Sequence, residues 1–159
     1  MLNIITNPHP ALRQKAKEVD LEEIPKLHQF LNDMAKIMLK KDGIGLAANQ
    51  VDILKRIIIV NTKDGPLALI NPKLLRKSFK KEEAEEGCLS VPDVFGMVKR
   101  NYSLTVKAYT KDGQEISIKA TGLFARVLQH EVDHINGILF IDKAKNITKG
   151  KPRDEQDKL

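Results

Sequence analysis

The sequence predicts an α+β fold in which antiparallel sheets and hairpins surround a central helix that carries a His-Glu-x-x-His motif. Apolar residues recur at helical spacing in two segments, and they alternate with polar residues in others. Asp-Gly turn signals join the alternating segments, so the strands come as hairpins and the helices stand apart from them. This segregation favours an antiparallel α+β architecture over a doubly wound parallel sheet. The length of 159 residues is that of one domain.

The first helix is predicted between Ile24 and Met38, because apolar residues recur there at spacings of three and four. Pro25 suits a position in the first turn, where a missing N–H leaves no helical hydrogen bond unmade. Asp42-Gly43 is a stop signal, and a glycine-bearing loop follows from Gly43 to Gln50.

Two hairpins are predicted after this loop. The apolar run from Ile57 to Val60 is typical of a buried strand, and Lys63-Asp64-Gly65 is a turn signal. Leu67 to Ile70 then returns as a strand that ends at Pro72. Farther along, apolar and polar residues alternate on both sides of Asp112-Gly113, which predicts the second antiparallel hairpin.

A second helix fits Leu123 to Asn136, with Thr121 as a candidate N-cap and Asn136-Gly137 as the stop signal. After a short apolar segment at 139–141 the sequence becomes mostly charged. We therefore expect one domain over residues 1–142 and a charged tail over residues 143–159 that frays or forms a loose helix.

Composition excludes several classes of protein. Cys88 is the only cysteine, so no intramolecular disulfide can form, which fits a reducing compartment. The longest apolar run is too short for a membrane span and the N-terminus lacks the features of a signal peptide, so we expect a cytoplasmic protein without a membrane partner. The net charge is +6, but the basic run that ends at Lys81 continues into the acidic run Glu82–Glu86. Such mixed charges favour a solvated surface over a nucleic-acid groove, and no specific DNA partner is expected.

The strongest chemical signal is His130-Glu131-Val132-Asp133-His134, in the second predicted helix. Residues four apart lie on the same helix face, so the two imidazoles can reach one metal ion. Glu131 projects about 100° around the helix from His130 and can act as a general base without being a ligand. The alternative is a helix whose two histidines are solvated or satisfied in the core.

A catalytic metal site usually has three protein ligands and one open position, so a third ligand must come from elsewhere. Cys88 is one candidate, because the neighbouring Gly87 lets the backbone approach a ligand closely. Another histidine or a carboxylate is the alternative, and Cys88 would then be an inert, buried thiol. His9 and His28 are expected to be ordinary surface residues.

The loop Gly43-Ile44-Gly45-Leu46-Ala47-Ala48-Asn49-Gln50 loosely matches a dinucleotide-binding pattern. That fingerprint needs a preceding strand and a following helix, whereas here a helix precedes and no clear helix follows. Its small residues instead favour a loop whose exposed backbone pairs with an extended peptide. Gln50 supplies a neutral amide donor of the kind that stabilises an oxyanion, unless the backbone of the turn satisfies that amide.

In this order, Gly-Ile-Gly-Leu-Ala-Ala-Asn-Gln, Glu-Gly-Cys-Leu-Ser and Gln-His-Glu-Val-Asp-His resemble the three signature motifs of the peptide deformylases. The resemblance extends over about residues 1–142, which would be the catalytic domain. It implies a metal-dependent hydrolase that removes the N-formyl group from the initiator methionine of nascent polypeptides and releases formate. N-formylmethionyl nascent peptides would be its partners, with the ribosome as a further candidate partner.

The resemblance also implies the ligands of the metal. Carried over position by position, Cys88, His130 and His134 would bind it. The native ion in the family is typically Fe²⁺, one per chain, and Zn²⁺, Ni²⁺ or Co²⁺ can occupy the same site.

The same resemblance assigns the chemical steps. Glu131 would be the general base and acid, and Gln50 together with the backbone N–H of Leu89 would hold the formyl oxygen. A departure from the family lies just beyond: many members carry a basic residue soon after the Cys motif, but here Val94-Phe95-Gly96 comes first. The nearest cations are Lys99 and Arg100.

Substrate binding is expected to involve two kinds of contact. The backbone at Ile44, Gly45 and Gly87 would pair with the peptide main chain, a contact that tolerates many sequences. An apolar pocket near Ile44, Val127 and Leu128 would hold the methionine side chain.

Two other interpretations use the same residues. An endopeptidase would share the His-Glu-x-x-His helix, but the short chain and a cysteine ligand upstream of the helix disfavour it. A basic, ribosome- or RNA-associated binding protein with a structural metal would normally need four protein ligands, and the chain has one cysteine and two spare histidines.

Overall fold

The computed structural model describes residues 1–150, and these residues form two antiparallel sheets and two α-helices joined by short 3-10 helices. The larger sheet has the strand order β1-β2-β3-β6-β7, and the smaller one has the order β4-β5-β8. The strands are β1 (Gly45–Ala47), β2 (Ile57–Thr62), β3 (Gly65–Leu75), β4 (Lys81–Cys88), β5 (Val91–Asn101), β6 (Ser103–Tyr109), β7 (Glu115–Thr121) and β8 (Lys145–Lys149). The helices are α1 (His28–Lys40) and α2 (Gly122–Ile135).

The larger sheet is covered on both faces, and this explains its apolar central strand. Successive residues of a strand point to opposite faces. Ile58 and Val60 of β2 accordingly belong to the core under α2, while Ile57 and Ile59 belong to the core under α1. All four residues are buried, as the apolar run predicted.

Helix α2 packs against strands of both sheets and is the central helix of the predicted α+β fold, which is confirmed. The two predicted hairpins are also confirmed, as β2 with β3 and as β6 with β7. Among residues 1–150, no helix is long and apolar enough to cross a membrane.

Two proline-containing segments differ from the sequence prediction. The segment from Ile24 to Met38 was predicted as one helix. Its first residues belong to a 3-10 helix over Leu21–Leu27, and the α-helix α1 begins only at His28. Pro25 lies inside the 3-10 segment, and a proline disfavours the α conformation of the residue before it. Strand β3 does not end at Pro72 but passes it, with a register shift between Ile70 and Lys73, because proline has no N–H to donate to the ladder.

The smaller sheet was largely missed by the sequence analysis. Residues 145–149 of the charged tail form β8, which pairs with β5, so the expected loose helix is wrong for this part of the tail. The remaining tail, residues 151–159, lies outside the described residues. The charged run at 81–86 forms most of β4, and its expected solvation holds for the exposed Glu83 and Glu85 but not for Glu86, which is fully buried.

Candidate metal centre

Cys88 at the end of β4 meets His130 and His134 of α2. One ligand atom from each of these residues lies within 4.8 Å of the other two. Cys88 Sγ is 3.2 Å from His134 Nε2, and the two imidazole centroids are 5.0 Å apart. The i, i+4 spacing puts both imidazoles on one face of α2, and both histidines are buried. Of the candidate third ligands, the structure brings Cys88 to the histidine pair.

Glu86 orients the first imidazole. His130 Nδ1 lies 2.8 Å from Glu86 Oε1, and an ionised carboxylate only accepts, so Nδ1 carries a proton and Nε2 is the ring nitrogen left for a metal ion. Arg100 donates two hydrogen bonds of 2.9 Å to the same carboxylate, and Arg126 donates one of 2.7 Å. Burial opposes the ionisation of Glu86, but the hydrogen bonds from His130 and Arg100 hold the pKa of its carboxyl well below the ordinary value. Such a carboxylate–histidine contact fixes the ring orientation of a metal ligand.

Sequence reasoning gave Glu86, Arg100 and Arg126 no role at the site. One signal was available: Arg126, His130 and Asp133 are spaced four and three apart, so they share a stripe of α2. That stripe faces Glu86 and Arg100, and Arg100 also donates to Asp133 over 2.5 Å. Arg100 is thus buried in a network of ion pairs, and it is not a cation available to a bound peptide.

Glu131 is buried beside the two histidines without a partner for one of its oxygens. Within residues 1–150, Glu131 Oε2 and His134 Nδ1 make no hydrogen bond. Burial raises the pKa of Glu131 to about 7. Gly45 lies against this side chain: a Cβ added at residue 45 would be 2.6 Å from Glu131 Oε1. The β1 glycine therefore leaves the space that Glu131 occupies.

Gln50 aims its amide nitrogen at the cysteine. Its Oε1 accepts from the backbone N–H of Ala47 over 2.9 Å, which fixes the orientation of the amide. Its Nε2 donates to Ser90 Oγ over 3.1 Å and lies 3.6 Å from Cys88 Sγ. The turn backbone thus satisfies the Gln50 oxygen only, and the N–H₂ group faces the metal centre.

A cavity of about 280 Å³ opens onto this cluster. Its wall brings together most of the residues that the sequence predicted for catalysis and substrate binding: Ile44, Gly45, Gln50, Gly87, Cys88, Leu89, Val127, His130 and Glu131. Leu128 is a correction, because it is fully buried in the core under the larger sheet. The wall also includes Val94 and Phe95 of β5, for which sequence analysis predicted no role.

The side chains of the cluster fit a divalent transition metal. One thiol and two imidazoles are ligands that such ions accept, and three protein ligands leave a position open toward the cavity. The buried, unpartnered Glu131 Oε2 beside them fits a group that acts on something bound there. His9 and His28 lie elsewhere: His9 Nδ1 accepts from Ala11 N–H at the start of a 3-10 helix, and the ring of His28 contacts the Lys111 carbonyl.

Comparison with known proteins identifies the family. The family model for polypeptide deformylase matches residues 1–150. The chain belongs to the polypeptide deformylase family. It is therefore a hydrolase that removes the N-formyl group from nascent polypeptides, as the sequence motifs predicted, and the family together with the Cys88, His130 and His134 cluster supports a metal cofactor.

Individual relatives agree over nearly the whole chain. The chain is 41% identical over 152 residues to the peptide deformylase of Desulforudis audaxviator, covering 95% of this chain and 98% of that one. It resembles the crystal structure of peptide deformylase from Thermotoga maritima with a TM-score of 0.86 at 39% identity, covering 91% and 98% of the two chains. It also resembles a Met-Ala-Ser-bound peptide deformylase from Acinetobacter baumannii, with a TM-score of 0.85 at 37% identity and coverage of 89% and 97%.

Proposed function

We propose that Cys88, His130 and His134 hold one Fe²⁺ per chain and that the residues around them hydrolyse N-formylmethionyl peptides. The observation that carries this proposal is the meeting of these three ligand atoms within 4.8 Å of one another beside the buried Glu131. Zn²⁺, Ni²⁺ or Co²⁺ fits the same donors, since thiolate and imidazole bind all of these ions. When bound, the ion supplies a Lewis acid that polarises the formyl oxygen and lowers the pKa of water.

Glu131 is the group that moves the proton in this proposal. Its carboxylate accepts a proton from the attacking water and later delivers it to the leaving amine, and formate and a free N-terminus are released. Its burial and its partnerless Oε2 support this role, because a carboxyl with no fixed partner is free to take up and release a proton.

Gln50 and Leu89 are proposed to hold the formyl oxygen as negative charge develops on it. Gln50 Nε2 already lies 3.6 Å from Cys88 Sγ, with its amide fixed by Ala47. Leu89 lines the same cavity, and its backbone N–H is the second donor. A preorganised donor of this kind is worth roughly 3–4 kcal/mol of barrier.

The peptide main chain is proposed to pair with β1. Within the described residues, β1 is an edge strand of the larger sheet, with its other edge paired to β2. An extended peptide can add to such an edge through backbone hydrogen bonds, which suits substrates of many sequences. Gly45 is the first residue of β1, Ile44 precedes it, and Gly87 lines the same cavity. The Acinetobacter baumannii relative was crystallised with Met-Ala-Ser bound, which supports a peptide as the bound molecule.

The methionine side chain is proposed to enter the apolar part of the cavity, against Ile44 and Val127. Val94 and Phe95 of β5 replace Leu128 in this role, because they line the cavity and Leu128 does not face it. We further propose that the enzyme works in the cytoplasm beside the ribosome, where its substrates emerge.

Metal loading tests the ligand assignment. Apoenzyme is reconstituted anaerobically with Fe²⁺ and desalted, and the bound iron is measured. We expect about one ion per chain for the native enzyme and for His28→Ala, a control that removes a histidine from α1. Cys88→Ser, His130→Ala and His134→Ala should retain much less. In Co²⁺-loaded enzyme, a thiolate-to-metal absorption band should disappear in Cys88→Ser, and full metal content with an unchanged spectrum would exclude Cys88 as a ligand.

A further inference from the structure

A second cavity, of about 520 Å³, lies on the other face of α2. Helix α2 contributes Gln129, Val132, Asp133 and Asn136 to its wall, at helical spacings of three and four. Glu131, which lines the metal-centre cavity, points about 200° around the helix from Gln129 and from Asp133, whereas His130 lies between the two sides, about 60° from Asp133. Helix α2 therefore lies between Glu131 and the second cavity, which is linked to the metal centre through Arg100 and its partner Glu86.

This second cavity carries an excess of positive charge. Besides the ion-paired Arg100, its cationic lining residues are Arg56, Lys73, Lys77, Lys81, Lys99 and Lys143. Among the lining residues within 1–150, Asp133 supplies the only carboxylate. That carboxylate is already paired with Arg100 at 2.5 Å and with Lys143 at 2.9 Å. Arg56 donates to the Ile135 carbonyl and to Asn136 Oδ1, so the charge left for a ligand is that of Lys73, Lys77, Lys81 and Lys99.

A fully exposed aromatic ring lies in the loop at the rim of this cavity. Phe79 is 104% exposed, between Lys77 and Lys81 of the lining. The loop is fixed on both sides of the ring: Ser78 N–H donates to the Ser103 carbonyl over 2.9 Å, and Tyr102 N–H donates to the Lys80 carbonyl over 2.9 Å.

Further contacts hold the same loop. The Ser78 hydroxyl donates to the Lys80 carbonyl over 2.7 Å, and the Asn101 side-chain amide donates to the Ser78 carbonyl over 2.8 Å. The exposure of Phe79 is thus a property of an anchored loop. Folding buries none of this apolar ring, so its surface is available to a partner.

We propose that this basic groove, made of the cavity cations and the 76–81 loop, binds an unpaired strand of RNA. Phosphates would contact the lysines, and a base would stack on Phe79. Positive charge along a groove combined with an exposed aromatic ring is the combination by which proteins bind single-stranded nucleic acid. This proposal rests on the proposed function in one respect: an enzyme that acts on nascent chains works close to the RNA of the ribosome.

Other partners fit the groove less well. The lining lysines are exposed, but a flat bilayer cannot follow the concave wall of a cavity, and an acidic peptide would pair with the lysines but leave the ring in water. The sequence alone favoured a solvated surface here, because Lys81 is followed by four glutamates within residues 82–86. In the structure Glu86 is turned inward and buried, and Lys81 lies in the cavity wall.

The test measures the fluorescence anisotropy of a labelled, unstructured RNA of about 12 nucleotides titrated with metal-loaded full-length enzyme. Titrations at about 50 mM and 200 mM salt give the salt dependence. Phe79→Ala should weaken binding about fivefold or more, because a stacked base is lost. Lys77→Glu/Lys81→Glu should weaken binding about tenfold or more and reduce the salt dependence.

Matched variants control for general effects of charge and exposed apolar surface. Lys63→Glu/Lys111→Glu makes the same charge change at two exposed turn lysines, and Leu123→Ala removes another exposed apolar side chain. The RNA affinity of both controls should stay within about twofold of the native value. This change is smaller than the loss expected when a stacked base is removed. Every variant should deformylate a short formyl peptide at the native rate. A loss of RNA binding can then be distinguished from damage to the active site.

Three outcomes would overturn the proposal. The native enzyme could fail to bind RNA at about 100 μM, the weak end of ordinary non-specific nucleic-acid binding. The groove and control variants could weaken binding equally. Vesicles containing phosphatidylglycerol could bind in a Phe79-dependent manner while RNA does not, which would make the groove a lipid-binding surface.

Discussion

The two faces of α2 differ in how their polar groups are partnered. On the face toward the metal centre, Glu131 Oε2 and His134 Nδ1 have no hydrogen-bond partner within residues 1–150. On the side of α2 opposite Glu131, Asp133 is paired with Arg100 and Lys143, and Gln129 exchanges two hydrogen bonds with the backbone of Asn101. Unpaired buried groups are costly to a fold and useful to a reaction, whereas paired ones hold elements together. Two carboxylates only two residues apart thus have different roles.

Glu86 connects the two faces, and removing its charge should have the largest effect on stability. Glu86→Gln leaves the buried guanidiniums of Arg100 and Arg126 without their counter-ion, so the free energy of unfolding should fall by about 3–5 kcal/mol. Metal affinity should also fall, by about 10–100-fold, because His130 loses its orienting carboxylate. Urea denaturation and competition with a chelator measure the two effects.

Glu85→Gln is the matched control for that change. Glu85 is the exposed neighbour of Glu86 on β4, so its unfolding free energy should change by less than about 0.5 kcal/mol. Equal losses in both variants would mean that the ion pairs of Glu86 do not stabilise the fold.

Gln50 lines the cavity at the metal centre, and its substitution tests the proposed stabilisation of the formyl oxygen. Gln50→Ala should lower kcat by about 10²–10³-fold with little change in KM, because its amide acts on charge that develops only in the transition state. Steady-state kinetics on a formyl peptide give both values. Gln114→Ala, at an exposed position in the β6–β7 turn, should leave them unchanged. A rise in KM with kcat intact would instead make Gln50 a ground-state binding residue.

Asp133 tests the opposite face of the helix. Asp133→Asn should lower the free energy of unfolding by about 1–3 kcal/mol, since charge-assisted hydrogen bonds to Arg100 and Lys143 are weakened. Turnover of the metal-loaded variant should stay within about twofold of the native value. Loss of a general base would lower turnover far more. Thermal unfolding and kinetics on the same preparation check this pair of outcomes, and a large loss of turnover would show that the two faces are coupled.

The C-terminal segment should have the smallest effect. Deleting residues 151–159 should leave turnover and KM on short peptides unchanged, and deleting 149–159 should do nearly the same, because Lys149 is the last residue of β8. Deleting 145–159 removes all of β8 from β5, whose Val94 and Phe95 line the cavity, and should raise KM. A loss of turnover in the shortest deletion would assign the tail a role in catalysis.

Local patterns predicted much of the fold and the site. The spacing of His130 and His134 needs only the geometry of one helix, and the β2–β3 and β6–β7 hairpins need only alternation and an Asp-Gly turn. Leu128 was misplaced within a helix that was otherwise predicted correctly. It lies about 100° around α2 from Val127, and this rotation turns it into the core.

The second sheet could not be predicted by the same patterns. Strand β4 has almost no apolar face, so neither helical nor strand periodicity marks it. The burial of Glu86 depends on Arg100, on another strand, and on Arg126, which is 40 positions away in the chain. Hydrophobic periodicity reports apolar burial and carries no information on charges that are buried as pairs.

The central claim is that Glu131, and not its neighbour Asp133, moves the proton in deformylation. The most direct test is the rate of amine release from formyl-Met-Ala-Ser by Fe²⁺-loaded native enzyme and by Glu131→Gln with equal metal content, with acetyl-Met-Ala-Ser as the control substrate. We expect rapid release from the formyl peptide alone and a loss of about 10²–10⁴-fold in the variant. Near-native turnover by Glu131→Gln, or equal release from the acetyl peptide, would contradict the account.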